Sequence, residues 1–379
     1  MTGFLDGLRT IAAFGVLSAH CLLWTGWPGL GLHFWPSPGM LAKLAVDLFM
    51  IISGFLMAYN AHGREAQEPL ASPETWLIFY VRRIFRIAPA YYLSLAVAIL
   101  FSQQFLGGYI LLADRLDGFR DSYYNARDIS YSFDNILLHA TFVFGLSPTA
   151  SFSTQLPDWS LSLEMQFYLC FPFLMLAIRR FGVLTVAMVM VPACLVAAHL
   201  WAPTFREPSL LLFKLPIFFV GILLCRAMFA RSKEDNLFLG ALAVGLSFTQ
   251  FRYYGFGTIW LGLGVVSIII LLSDTSEDVR FMRSCLVAAL DNRFMRFGSE
   301  LSYSVYLFHG FFIAMIGGAL FRDERFLAMN PHARSGLLWL FVIIGTVLVA
   351  TFVHRMVERP GIELGRMLIS QLRQRTVKV

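Results

Sequence analysis

"LDGLRTIAAFGVLSAHC", residues 5–21, reads as the start of a membrane-spanning helix, yet it keeps Arg9 near one end and His20 deep inside the apolar run. At 100° per residue, the eleven steps between them end about 20° past three full turns, so both lie on nearly the same stripe of one helix. They stand about 16 Å apart along the axis, roughly half the thickness of a hydrocarbon core. Acidic Asp6 occupies the place where a signal peptide would be basic, and no small-x-small cleavage site ends the run. The stretch is therefore read as a retained first span.

The rest of the chain agrees about the solvent. Of 379 residues, 58% are hydrophobic and only 14% charged, 37 are Phe, and the mean hydropathy is +0.67. No soluble core needs that much apolar surface. Apolar runs near membrane length recur throughout, which predicts an all-α polytopic membrane protein, since a helix satisfies its own backbone in lipid. About ten transmembrane helices are expected, near 6–25, 41–59, 85–104, 161–178, 182–200, 210–228, 235–250, 255–273, 300–320 and 335–356. They form a single domain over 1–379, with no repeat and no separate soluble domain; about twenty residues follow Pro360, too few for a fused one. "FDNILLHATFVFGL" at 133–146 carries His139 and is too short to cross, so it is read as re-entrant or interfacial.

Charge orients the bundle. With a cytoplasmic N-terminus, twenty of the thirty Lys and Arg fall on the cytoplasmic side, nine fall outside, and Lys214 lies within a span. Counting 133–146 as a crossing would move Arg179, Arg180 and the 274–299 loop outside and spoil that bias. Both termini are thus expected in the cytoplasm, with Trp24, Trp27, Trp35, Trp159, Trp201 and Trp339 ringing the outer interface. The net charge of +6 then reflects orientation and anionic lipid, and implies no nucleic acid. Cys21, Cys170, Cys194, Cys225 and Cys285 lack metal-ligand spacing and read as reduced packing residues, so no metal is expected. The outer segment 105–160 is either an acceptor-facing loop or a solvated linker.

Ionisable groups inside a membrane are expensive and are functional candidates by default. Arg9, His20, Asp47 and His309 stand inside spans, Glu164 at the outer start of one, and Arg83 and Arg86 at the inner start of another. Depth along each helix sorts them into an outer layer of His20, Asp47 and Glu164 and a cytoplasmic layer of Arg9, Arg83 and Arg86. In "RRIFR" the arginines at 83 and 86 share a helix face and suit a polyanion, though topological anchoring explains them equally and is preferred for Arg82. His20 can serve as a general base, with Asp47 or Glu164 fixing its tautomer and Asp47 preferred on depth. Tyr168 and Tyr303 are candidate liners or oxyanion donors. Ser302, Tyr306 and His309 share one helix face, which makes His309 a candidate substrate contact beside Tyr168 and Tyr303, with ordinary packing an equal explanation.

The chain resembles acyltransferase family 3, the integral membrane O-acyltransferases that modify O-antigen, exopolysaccharide, peptidoglycan and Nod factors. The likeness runs in order through "LDGLRTIAAFGVLSAHC", "VDLFMIISGFLMAY" at 46–59, "RRIFRIAPAYYL" at 82–93, "WSLSLEMQFYLCFP" at 159–172, "LSYSVYLFHGFF" at 301–312 and "VERP" at 357–360. It implies transfer of an acyl group, usually acetyl, from cytoplasmic acyl-coenzyme A to a hydroxyl of a glycan or similar acceptor in a bacterial inner membrane. It implies donor binding by Arg9, Arg83 and Arg86, and a central His20 that either takes the acceptor's proton or carries the acyl group. One departure weakens any two-carboxylate mechanism: where the family carries a double acid, this chain has Glu164 followed by Met165. The rival from another class is a transporter or exporter of a glycan or lipid-linked intermediate, which should show repeated halves and matching broken helices. A non-enzymatic scaffold is a further rival, with no need of His20 in register with Arg9.

Overall fold

The computed structural model describes residues 3–27, 36–115, 129–272 and 277–376. Trp35, and the part of the outer segment at 116–128, lie outside the described residues.

The chain is a helical bundle. The first crossing, α1 (Phe4–Leu23), packs between α2 (Pro38–Arg64) and a late helix described below. Pro38 starts α2 at a position that needs no amide hydrogen, and Ser37 accepts from Met40 N at 3.3 Å. Then come α3 (Pro73–Leu100) and α4 (Ser102–Asp114). The segment 133–146 is an eight-residue helix, α5 (Phe133–Ala140), followed by a single 3-10 turn, too short to cross.

Next, α6 (Trp159–Phe181) passes to α7 (Val183–Trp201) through Gly182 alone, whose φ of +83° spares the link a side-chain clash. The helices α8 (Leu211–Met228), α9 (Lys233–Ser247) and α10 (Thr258–Leu272) follow, then the amphipathic α11 (Glu277–Leu290). The bundle closes with α12 (Arg293–Phe312), α13 (Pro331–Val353) and α14 (Arg359–Thr376). A π turn at 313–317 ends α12 and another at 354–358 ends α13.

Among the described residues, eight helical stretches are long and apolar enough to cross a membrane. One of them, 233–272, contains both α9 and α10, and α1 passes between α2 and α12 despite its Asp6 and Arg9. Ten crossings were expected; the eight stretches correspond to nine of the expected spans, with α9 and α10 merged into one, and the tenth expected span is α1, which falls outside the eight. Outward residues such as Met188, Val189, Leu348 and Phe352 are exposed and apolar, as lipid-facing positions must be. In contrast, α8 is encased on every side, and its approach to α2 is backbone to backbone. A Cβ added at Gly54 would land on Phe218 O, and one at Gly221 on Ile51 O.

Residues 133–158, which precede α6, are packed into the bundle and locked there. His139 is wholly buried, with Nδ1 3.1 Å from Asp158 Oδ2 and Nε2 3.2 Å from Ser153 Oγ, while Tyr91 OH donates to Asp158 Oδ2 at 3.0 Å. The spacing imitates a Ser-His-Asp triad. Ser153, however, is buried with its hydroxyl engaged by Asn135 Oδ1 at 2.8 Å and Ala150 O at 2.7 Å, so the set is a brace. Phe142, at φ +62°, is held in this left-handed conformation by Ser162, which donates to its carbonyl at 2.6 Å. The brace fixes the segment before α6 against α3, and Trp159, the first residue of α6, is buried within the bundle.

Candidate active site

Two histidines from helices far apart in sequence meet in the bundle. His20 Nδ1 on α1 lies 2.8 Å from His309 Nε2 on α12, with ring centroids 5.1 Å apart. His309 Nδ1 in turn lies 2.8 Å from the carbonyl of Tyr306 and 3.2 Å from that of Val305. A carbonyl can only accept, so His309 Nδ1 carries a hydrogen and its Nε2 presents a lone pair. His20 Nδ1 must then donate to it, and His20 Nε2 becomes the basic nitrogen. The tautomer-setting role expected of Asp47 or Glu164 thus falls to His309, which the sequence had suggested as a substrate contact.

This pair lines a cavity of about 340 Å³ together with Trp24, Lys43, Gln155, Trp159, Glu207 and Tyr306. Trp24 and Trp159 are buried against it, and so are not interface anchors; Trp24 packs on Tyr109, with 4.7 Å between ring centroids. Tyr306 also lines a second, narrower cavity of about 80 Å³ on the side toward the start of α1. Arg9, Arg86, Glu164, Tyr168, Ser302 and Tyr303 lie along it. The shared face of Ser302, Tyr306 and His309 therefore runs along both cavities.

Glu164 consequently sits with Arg9 and Arg86 and not in the layer of His20, a correction to the depth estimate. Its Oε1 accepts from Ser53 Oγ at 3.1 Å and from Tyr168 OH. Tyr303 OH donates to Ile87 O at 2.9 Å, which ties α12 to α3. Asp47 is corrected too. Its oxygens lie 2.8 and 3.1 Å from Lys214 Nζ, and Tyr254 OH donates to it at 2.7 Å, all within the protein interior. Sequence reasoning missed Lys214 as that partner, although a lysine inside "LLFKLPIFF" was the available signal.

Arg86 leads on to a third cavity, of about 200 Å³, lined by Arg64, Arg82, Arg83, Arg86 and Arg366. Arg83 lies with its guanidinium 5.5 Å from the ring centroids of both Phe79 and Tyr168. Its buried Nε has no hydrogen-bond partner among the described residues. Glu68 is the carboxylate at this mouth, bound by Arg82 and Arg373. Burial works against its ionisation, but the hydrogen bond and charge of Arg82, with Arg373 and Arg64, hold its pKa below the ordinary 4.5. Arg373 belongs to α14, which lies close on α3: a Cβ at Gly361 would stand 2.7 Å from Pro89 Cγ, and one at Gly365 2.7 Å from Phe85 Cβ. Three cavities thus form a series, joined by Arg86 and then Tyr306, from an arginine-lined mouth to a histidine pair.

Residues 2–355 match the protein family described as "Acyltransferase domain". The chain is similar to the protein named "Putative membrane-bound transacylase BcsY" of Komagataeibacter xylinus, with 27% identity over 371 residues, 95% of this chain and 82% of that protein. It is similar also to the peptidoglycan O-acetyltransferase OatA of Listeria monocytogenes, 28% identical over 179 residues, 46% of this chain and 24% of that one. A third likeness is to the regulator of hypoxia-inducible factor 1 of Caenorhabditis elegans, 28% identical over 153 residues, 40% of this chain and 27% of that one. No solved structure matches the chain.

Proposed function

Because the chain belongs to the acyltransferase domain family and is a membrane O-acyltransferase, we propose that it moves an acetyl group from cytoplasmic acetyl-coenzyme A to a hydroxyl of a cell-surface or secreted glycan. The observation that carries the reading is the series of cavities, with arginines at one end and a base of defined tautomer at the other. Arg83, which lines the outermost arginine cavity, and Arg86 and Arg9 beyond it would bind the donor's phosphates. Its pantetheine arm would pass Tyr306 to present the thioester at His20, about 16 Å along α1 from Arg9. The orientation, with both termini cytoplasmic, rests on the positive-inside excess, and a bacterial inner membrane on the bacterial source of two of the relatives.

In this mechanism His20 Nε2 takes the proton of the acceptor hydroxyl as its oxygen attacks the thioester carbonyl. The carbon–sulfur bond breaks, the ester forms, and the proton passes from His20 to the leaving thiolate. His309 holds the ring in place and shares the imidazolium charge through the Nδ1 hydrogen bond. An exporter gains no support from the family, and nothing in this route requires a metal ion.

The test is mass spectrometry of surface glycans from cells with and without the gene, beside a His20→Ala strain. A gain of one acetyl group that disappears with the histidine is expected. Glycans identical in all three strains would overturn the proposal.

A further inference from the structure

The outer cavity is lined by a buried side-chain amide, that of Gln155, one end of which the protein leaves unmet. Gln155 is 3% exposed, and its Nε2 donates to Ser102 O at 3.2 Å. That contact settles the amide's orientation, since a carbonyl can bind only the nitrogen end. The other end, Oε1, is buried with no hydrogen-bond partner among the described residues. A buried acceptor without a donor is costly, and such an atom beside an active site calls for a donor on the ligand. Gln155 lines the same cavity as His20 and His309.

The remaining lining narrows the class of ligand. Trp24 and Trp159 offer apolar ring faces, while Lys43 and Glu207 contribute one charge of each sign. An alkyl chain would leave those polar groups facing hydrocarbon. A phosphorylated or polyanionic acceptor would meet the Glu207 carboxylate. A pyranose ring suits both kinds of wall, for it has a carbon–hydrogen face to lie on an aromatic ring and a rim of hydroxyls to donate.

We propose that this cavity is the acceptor site for an uncharged sugar ring, with one hydroxyl at His20 Nε2 and another donating to Gln155 Oε1. The acceptor must then carry at least two hydroxyls, and Gln155 is a specificity-determining residue. This rests on the transfer to a glycan hydroxyl proposed above and adds the residue that selects the acceptor.

The experiment uses the full chain in lipid nanodiscs with acetyl-coenzyme A. Two probe acceptors are compared: methyl β-D-glucopyranoside, and cyclohexanol as a ring with a single hydroxyl. The sugar should be acetylated at least tenfold more efficiently in kcat/KM. Gln155→Leu should raise the KM for the sugar about tenfold, with donor KM unchanged as evidence of folding. Equal use of both probes, or a sugar KM indifferent to Gln155→Leu, overturns the acceptor site while leaving acyl transfer standing. Donor binding with no acetylation of either probe overturns both.

Discussion

Lys214 and Asp47 form an ion pair closed off from solvent, with Nζ 2.8 Å from Oδ1 and Tyr254 OH bridging the two residues at 2.6 and 2.7 Å. Lys214 also stands 4.6 Å from the centroid of the Tyr254 ring. Breaking such a pair strands a charge, whereas replacing both partners does not. Asp47→Asn or Lys214→Met should each cost about 3–5 kcal/mol. The double variant Asp47→Leu/Lys214→Met should regain most of that. Thermal unfolding in one detergent would show it, and equal losses in single and double variants would argue against the pair.

The histidine pair predicts a split between kcat and KM. His20→Ala should abolish transfer, and His309→Leu should lower kcat about 100-fold with little change in either KM. His309→Gln keeps an acceptor for His20 Nδ1 and should recover part of the loss. A His309→Leu enzyme with normal kcat would remove His309 from the mechanism.

For the donor, Arg83→Ala and Arg86→Ala should each raise the KM for acetyl-coenzyme A about tenfold with the acceptor KM unmoved. Arg82 is bound to Glu68, so Arg82→Ala should act less on the donor than either. Should Arg82→Ala prove the most damaging to donor KM, the roles of the arginines would have to be exchanged.

Glu68 predicts a response to acid. Its folded pKa lies below its unfolded value near 4.5, so the stability it contributes is complete above that value and is lost as pH falls through the lower, folded one. The tie between α14 and the 65–72 loop should therefore loosen in acid, seen as faster amide exchange in α14. Glu68→Gln should exchange at the faster rate already at neutral pH, and an α14 indifferent to both changes would dismiss the clasp.

Several features were legible in the chain alone because they are local. Hydrophobic run length gives spans, and the eleven-residue step places Arg9 and His20 on one stripe whatever surrounds the helix. Glu164 was misplaced for a definite reason. Its depth was measured from the start of α6, on the assumption that this start lies at the membrane surface, whereas Trp159 at that start is buried beside the cavity of His20 and Glu164, about one and a half turns farther on, lies beside Arg9 and Arg86. Trp24 and Trp159 were misread for the same cause, since a tryptophan near a helix end is an anchor only if that end is at the interface.

What the sequence determined by itself is the membrane class, the helices and the spacing of polar groups along each one, because these depend on composition and on rotation per residue. Which polar group meets which was decided by tertiary structure. Asp47 and His20 both lie within spans, and nothing along the chain could say that α8 would bring Lys214 to the first while α12 brought His309 to the second. In a bundle those partners are chosen by close packing between helices, such as the approach of Gly54 to Phe218 and Gly221 to Ile51, and that choice exists only once the helices are together.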